Sequence, residues 1–179
     1  MIAPRLVTAP TGLPVSVADL KAHLAITFDD DDAKLEAYIS AAVAYLDGWR
    51  GVLGRCIMTQ TWAFDDEAFP CLIPLPDVQS VALAYTDTNG AAQAFAGFTV
   101  RNTSRGAELV YTDSKPSVQA GSLVTATVTA GYDVVPDGLK LAIKFMAARA
   151  YDNPQGTITD AVKLDMSDKF TAPHRWANV

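Results

Sequence analysis

Four consecutive aspartates, Asp29 to Asp32, form the densest group of side chains that could bind a metal or act in catalysis. They precede a segment, AKLEAYISAAVAYLDGWRG, in which apolar residues recur every three or four positions. Consecutive side chains on a helix diverge by about 100°, so the four carboxylates cannot all converge on one ion. The sequence also lacks the alternating ligands and the sixth-position glycine of an EF-hand loop. We therefore interpret the aspartates as the start of a helix, where carboxylates accept hydrogen bonds from free N–H groups and face the positive end of the helix dipole.

The remaining residues with chemical potential are two histidines and two cysteines. His23 lies on a short predicted helix with no nucleophile beside it in the pattern, and His174 lies in an irregular tail. Cys56 and Cys71 lack the close Cys or His partners of a zinc site, so we expect two buried thiols rather than a disulfide. No nucleotide-binding, hydrolase or metalloprotease motif is present. The sequence thus predicts no catalytic residues, no metal and no cofactor, and we expect that the protein is not an enzyme.

Composition limits the classes of protein that remain. The 179 residues are 50% hydrophobic and 19% charged, which predicts one globular unit with a well-formed core. The formal net charge of −6 disfavours unassisted binding to nucleic-acid phosphates. No apolar run approaches the roughly 20 residues that cross a bilayer, so we expect a soluble intracellular product without a membrane partner.

Helical patterns occur at both ends of the sequence. Ser16 and Asp19 have the spacing of a capping box, which predicts a helix over Val17 to Leu24. A long helix follows the aspartates, with a predicted apolar stripe that reaches Trp49. A third helix is predicted after Pro136 and ends at Asn153, because the residue before Pro154 is disfavoured in a helix.

The middle of the sequence changes to an alternation with period two. Segments such as CIMTQTWAFD, AELVYTD and SLVTATVTAGY are rich in threonine, aromatic and β-branched residues, as half-buried strands are. The pair Asn89-Gly90 predicts a tight hairpin turn. FPCLIPLPDVQS is broken by proline, which is typical of an edge strand or connector. These segments predict five or six antiparallel strands.

Together the patterns predict an α+β fold, with a helical core from the N- and C-terminal helices and a central antiparallel β insertion. We expect a single domain over residues 1–179. Its parts are N-terminal helices in 1–55, the β insertion in 56–133, a C-terminal helix in 136–153 and an extended C-terminal arm in 154–179.

The arm ends in KFTAPHRWANV, which has aromatic residues and an arginine but no helical or strand period. Phe170, Arg175 and Trp176 are of the types that anchor protein interfaces. The same residues could instead dock onto the chain's own core, and the sequence leaves both alternatives open.

Several blocks in order resemble one family. LVTAPTGLPVSVADLKAHLAI, DDDDAKLEAYISAAVAYLDGWRG, CIMTQTWAF and FPCLIPLP together resemble the phage head-tail connector (adaptor) proteins with a β insertion, which also occur in gene transfer agents. The match covers about the first eighty residues, while the central hairpins resemble the family only loosely.

The resemblance implies a structural subunit of a twelvefold ring in the neck of a virion, made in the bacterial host cytoplasm. The ring would lie beneath the portal protein, contact the next tail or stopper protein, and let DNA pass without sequence-specific binding. The C-terminal segment would reach the portal, which would give Phe170, Pro173, His174, Arg175 and Trp176 a role in that interface.

Two other classes of function remain as alternatives at this stage. A metal-dependent hydrolase would use Asp29 to Asp32, and it would require stoichiometric binding of a divalent cation. A small monomeric module would use the β-sheet to bind a peptide or a sugar.

Overall fold

The computed structural model describes residues 2–154 and 166–176, which divide into two compact units. The β unit comprises residues 2–10 and 58–133, and the helical unit comprises residues 11–57, 134–154 and 166–176. Within the described residues there are four α-helices and two antiparallel sheets, so the predicted α+β class is confirmed. Whether the chain acts as the predicted single domain stays a prediction.

Eight strands occur in the described part of the β unit. They are β1 (Arg5–Thr8), β2 (Gln60–Asp66), β3 (Leu72–Ile73), β4 (Val78–Thr86), β5 (Ala92–Phe95), β6 (Phe98–Thr103), β7 (Gly106–Tyr111) and β8 (Val124–Ala130). Five of them form one sheet in the order β1-β2-β8-β4-β5, and three form a second sheet in the order β3-β7-β6. All neighbouring strands are antiparallel.

Strand β8 lies at the centre of the larger sheet. Its sequence, VTATVTA, alternates strictly between two kinds of residue. Its valines and alanines are buried, and its three threonines are half-buried on the other face. It pairs with β2 on one side and with β4 on the other. The period of two in the sequence therefore fixes which face of the sheet enters the core.

The hairpin predicted at Asn89-Gly90 joins β4 to β5 and is confirmed. The Asp87 carboxylate accepts hydrogen bonds from the N–H groups of Asn89 at 2.9 Å and Ala91 at 3.0 Å. These bonds hold the pKa of Asp87 below its usual value, the bond from Ala91 being the largest cause. Gly90 has φ +84°, a left-handed conformation that glycine adopts without strain.

Three features of the β unit differ from the sequence prediction. The proline-rich opening contains a strand, β1, which is short and therefore leaves little periodic signal. The prediction was one unit of five or six strands, but the strands form two sheets. Strand β3 pairs with β7 in the second sheet. Of the two cysteines expected to be buried, Cys56 is buried, but Cys71 is exposed next to the two-residue strand β3.

The helical unit contains α1 (Val17–Leu24), α2 (Asp32–Leu46), α3 (Asp137–Asp152) and α4 (Met166–Thr171). The capping box predicted for α1 is confirmed, since Asp19 N–H donates to Ser16 Oγ at 3.0 Å and Ser16 N–H donates to the Asp19 carboxylate at 3.4 Å. Helix α2 ends three residues before Trp49, where Asp47 caps it and accepts a hydrogen bond from Ile57 N–H at 2.6 Å.

Helices α1, α2 and α3 pack on one another through a stripe of buried side chains. The buried residues are Leu20, Leu35, Ile39, Ala42, Leu46, Leu139, Ala142, Ile143 and Ala147. Their spacing of three and four positions is the predicted one, which places them on one face of each helix. The alanines among them let the backbones of packed helices approach closely, so the stripe depends on small as well as large residues.

The four aspartates open α2, as predicted, but their side chains serve another purpose. Asp31 is the N-cap residue and makes no capping hydrogen bond with its side chain. Its carboxylate instead accepts a hydrogen bond from Tyr151 of α3 at 2.7 Å. Lys21 of α1 donates to the carboxylates of Asp29 and Asp32. The cluster therefore connects the start of α2 to both neighbouring helices.

These hydrogen bonds shift the pKa values of Lys21, Asp29 and Tyr151. Hydrogen bonds to Asp29 and Asp32 raise the pKa of Lys21, and the bond from Lys21 lowers the pKa of Asp29. The hydrogen bond to Asp31 raises the pKa of Tyr151. The charged forms of Lys21 and Asp29 are thus the stable forms around neutral pH.

We expect Lys21→Met to lower the melting temperature at pH 7, because it leaves Asp29 and Asp32 without their shared cation. The lowered pKa of Asp29 contributes stability above its ordinary value of 3.8, and this contribution is lost as the pH falls through the folded-state pKa. The difference from wild type should therefore shrink in acid. Differential scanning calorimetry at pH 7 and pH 3 measures it, with Lys169→Met on the exposed side of α4 as the control. Equal melting temperatures for both variants at pH 7 would contradict the role of Lys21.

Candidate partner-binding surface

The five residues predicted to form an interface lie on α4 and the turn that follows it. Phe170 is in the last turn of α4, Pro173 and His174 are in a 3-10 turn, and Arg175 and Trp176 come directly after it. Of the arm predicted over 154–179, residues 166–174 are helical, and 155–165 and 177–179 lie outside the described residues. The buried face of α4 consists of Ser167 and Thr171, which are polar, so the sequence has no apolar stripe that would reveal the helix.

Phe170 and Trp176 dock onto the helical unit. The ring of Phe170 stacks on Phe145 of α3, with ring centroids 6.1 Å apart and an interplanar angle of 26°. Phe145 in turn meets His23 of α1 edge-on at 5.4 Å. The N–H of Trp176 donates to the carbonyl oxygen of Leu53 at 2.8 Å. These two aromatic residues thus dock on the chain's own core, which is one of the two alternatives that the sequence left open for the tail.

Gly54 lies next to Trp176 and leaves space for it. Its φ of +63° is left-handed, and a Cβ added there would lie 3.1 Å from the Trp176 carbonyl oxygen and 3.7 Å from the indole ring. Both the backbone conformation and the space against Trp176 therefore favour glycine at this position. This requirement was not visible in the sequence, because it depends on Trp176, which lies far along the chain.

Pro173 and Arg175, in contrast, are exposed. Arg175 approaches the Asp168 carboxylate at 3.5 Å, but both side chains are about half exposed, and an exposed pair of this kind contributes little. The guanidinium also borders a cavity of about 290 Å³ beside α2, α3 and α4. Tyr45, Val52, Arg149 and Asp168 are among the other lining residues, so the cavity combines apolar walls with groups of both charges.

His174 is half-buried beside α3, near Gly138. Burial and the nearby positive charge of Arg55 lower the pKa of His174 from its usual value of 6.5. The imidazole is consequently neutral at pH 7. It packs within the helical unit, which is the arrangement of a structural rather than a charged contact residue.

No cluster of three or more His, Cys, Asp or Glu side chains in residues 2–154 and 166–176 is arranged to hold a metal ion. In that same part of the chain, no helix has both the length and the apolar character needed to cross a bilayer.

We expect Gly54→Ala to reduce the free energy of unfolding by about 1–2 kcal/mol for the left-handed conformation, with an added loss from the contact with Trp176. Gly12→Ala is the matched control, because Gly12 has φ +78° and nothing lies within 4 Å of a Cβ there. Urea denaturation compares the two variants. If both lose the same stability, Gly54 does not position Trp176.

The lowered pKa of His174 predicts a loss of stability in mild acid. Because its folded-state pKa lies below the ordinary value, the unfolded chain binds the proton more tightly, and stability falls as the pH drops through 6.5. Urea denaturation between pH 7.5 and pH 5.5 should show this slope for wild type and a smaller slope for His174→Gln. His23→Gln removes the other histidine, and it should leave unchanged the part of the pH slope that comes from His174. If His174→Gln keeps the wild-type slope, His174 is not the cause of the loss of stability in mild acid.

Residues 14–60 match the family of phage gp6-like head-tail connector proteins. No curated protein matches the chain. Among solved structures, chains from three assemblies have a similar fold, and each alignment covers 99% of this chain and 97% of the other.

The three assemblies are particles of a gene transfer agent (GTA). They are the neck of the empty GTA particle computed with C6 symmetry (TM-score 0.81, 22% identity), the neck of the native GTA particle computed with C12 symmetry (0.77, 23%) and the virion of the native GTA particle (0.79, 22%). The similarity extends over nearly the full length of both chains, so it includes the central hairpins that resemble the family only loosely in sequence. The resemblance to head-tail connector proteins is therefore confirmed, by the family match over residues 14–60 and by a fold shared with a component of the GTA particle.

Proposed function

We propose that this chain is a structural head-tail connector subunit, located in the neck of a virion or a gene transfer agent and made in the host cytoplasm. The observation that carries the proposal is the match of the whole chain, with TM-scores of 0.77–0.81, to chains of GTA necks and virions. The family match over residues 14–60 supports it independently from sequence. The proposed role is assembly rather than catalysis. The alternative, a monomeric peptide- or sugar-binding module, has no support from these comparisons.

The subunit would form a ring of twelve copies around the DNA channel. Two of the similar assemblies were computed with C12 and C6 symmetry, which are cyclic. In a cyclic ring every subunit uses two different surfaces to contact its two neighbours. The ring would contact the portal protein on one side and the next tail or stopper protein on the other.

The helical unit is the proposed frame of the subunit, with the β unit as a central insertion between its N-terminal and C-terminal parts. Helices α1 and α2 come before strands β2 to β8 in sequence, and α3 and α4 come after them, while the short strand β1 precedes α1. The buried stripe shared by α1, α2 and α3 supports this arrangement, because it needs residues from both ends of the chain.

The portal contact would be made by the surface around Arg175, with residues 154–179 as the arm. Pro173 and Arg175 are exposed, and the cavity beside Arg175 could receive an apolar or acidic side chain of the portal. Phe170, His174 and Trp176 would hold this surface in place through their contacts within the helical unit. Arginine suits such an interface because its planar guanidinium can bind a carboxylate with two hydrogen bonds.

The net charge of −6 is consistent with a channel subunit. DNA that passes through a ring must not bind tightly to it, and excess carboxylates repel the phosphate backbone. The proposed contact with DNA is therefore passage without sequence-specific binding.

We expect Arg175→Glu to weaken binding to the portal protein of the same particle about tenfold or more, or ~1.4 kcal/mol, because it reverses the charge at the proposed contact. The control is Arg105→Glu, since Arg105 is exposed on the turn between β6 and β7 and carries the same change of charge. Mass photometry of portal mixed with each variant gives the number of bound copies and the affinity. Equal binding of both variants would remove Arg175 from the interface, and no binding by wild type would contradict the connector function.

A further inference from the structure

In the part of the chain that the structure describes, two different strands form the edges of the larger sheet. The strand order β1-β2-β8-β4-β5 places β1 at one end and β5 at the other. Each edge strand is four residues long. An edge strand has backbone N–H and C=O groups that no neighbouring strand pairs, and natural proteins usually protect such an edge with charge or proline.

Within residues 2–154 and 166–176, no strand pairs with the outer side of β5. The turn bond from Asp87 N–H to the Ala91 carbonyl sets the alternation of the hairpin, so Gln93 and Phe95 exchange hydrogen bonds with β4. The N–H and C=O groups of Ala92 and Ala94 therefore point away from β4, toward the free side. No charged residue and no proline occurs from Thr88 to Val100.

An apolar groove lies beside this edge. Its volume is about 470 Å³, and its lining includes Val81, Ala94, Phe95, Phe98 and Val100. Val81 and Val100 come from β4 and β6, so the groove extends from the β5 edge to the second sheet. A groove of this kind can accept the side chains of a strand that pairs with the edge.

The opposite edge, β1, presents apolar side chains. All four of its residues are exposed, including Leu6 at 47% and Val7 at 49%. Val7 is the extra residue of a β-bulge, since Leu6 and Thr8 pair with consecutive residues of β2. Pro4 and Pro10 flank the strand. The prolines restrict any further pairing to residues 5–9, which are five residues including the bulge residue, and β5 has four.

We propose that β1 of one copy pairs with β5 of the next copy in the ring, with Leu6 and Val7 supplying the apolar side chains that the groove accepts. The inference rests on the proposed connector function, which requires a ring. Because β1 and β5 are different surfaces at opposite ends of one sheet, their contact is head-to-tail, as a cyclic ring demands. The backbone bonds of Ala92 and Ala94 would contribute affinity, and the groove would contribute specificity.

The direction of the strands predicts the geometry of the contact. The sheet has five strands with antiparallel neighbours, so its first and last strands, β1 and β5, run in the same direction. In a ring with C12 symmetry, neighbours are related by 360°/12, which is a rotation of 30°. This rotation is too small to reverse a strand, so the parity of the sheet favours parallel pairing of β1 with β5, at an angle that also includes the accumulated twist of the sheet.

Pairs of cysteines test the contact in rings assembled on the portal protein, in a Cys71→Ser background that removes the exposed native thiol. Parallel pairing with Leu6 at the groove predicts disulfide formation on oxidation for Leu6→Cys with Ala94→Cys and for Thr8→Cys with Ala96→Cys, because Ala94 and Ala96 line the groove. Each double variant should give a ladder of linked oligomers on a denaturing gel, and each single variant should give none. Links only in the crossed pairs, 6 with 96 and 8 with 94, would overturn the parallel arrangement. No ladder for any pair would overturn the contact.

A proline at the β5 edge gives a second test. Ala94→Pro removes an outward N–H without removing a bond to β4, whereas Ala94→Val keeps the N–H and serves as the control. We expect Ala94→Pro to reduce ring formation at least tenfold by mass photometry while single copies still bind the portal, and Ala94→Val to form rings as wild type does. Circular dichroism confirms that both variants fold. Normal rings with Ala94→Pro would overturn the edge contact and leave the connector function intact, whereas absence of rings and of portal binding in wild type would remove both.

Discussion

The packing of α2 against α3 is the contact on which the helical unit depends. Strands β2 to β8 separate the two helices in sequence, and the stripe that the helices share buries Leu35, Ile39 and Ile143 with small residues such as Ala142. Closing so long a loop costs little more than closing a short one, because the entropic cost grows only with the logarithm of loop length. A large insertion is therefore compatible with a helical unit built from both ends of the chain.

The acidic cluster and the C-terminal segment both depend on α3. Tyr151 near its end binds Asp31, and Phe145 in its middle stacks on Phe170. One helix thus holds the start of α2 and the docked tail at the same time. This explains why residues that could have served a metal or a partner instead make contacts within the unit. It also separates the tail into residues that anchor it, such as Phe170, and residues that remain exposed, such as Arg175.

The sheet edges follow from strand number and composition rather than from any motif. An odd number of antiparallel strands makes the two edge strands parallel to each other, and the uncharged segment around β5 leaves one of the edges unprotected. A protein that remained monomeric would be at risk of aggregation through such an edge. In a ring subunit the same feature gives each copy two complementary ends.

The sequence by itself determined the elements that arise from local physical chemistry. Ser16 and Asp19 fixed the start of α1, the alternation of VTATVTA fixed the buried face of β8, and Asn89-Gly90 fixed a hairpin, because caps, periodicity and turns involve only neighbouring residues. Only the tertiary structure decided the rest, since it depends on distant partners. Asp31 meets Tyr151 rather than capping its own helix, and α4 forms on a polar buried face that contains Thr171. The short strand β1 likewise exists because β2 is present to pair with it, a contact that no local pattern could indicate.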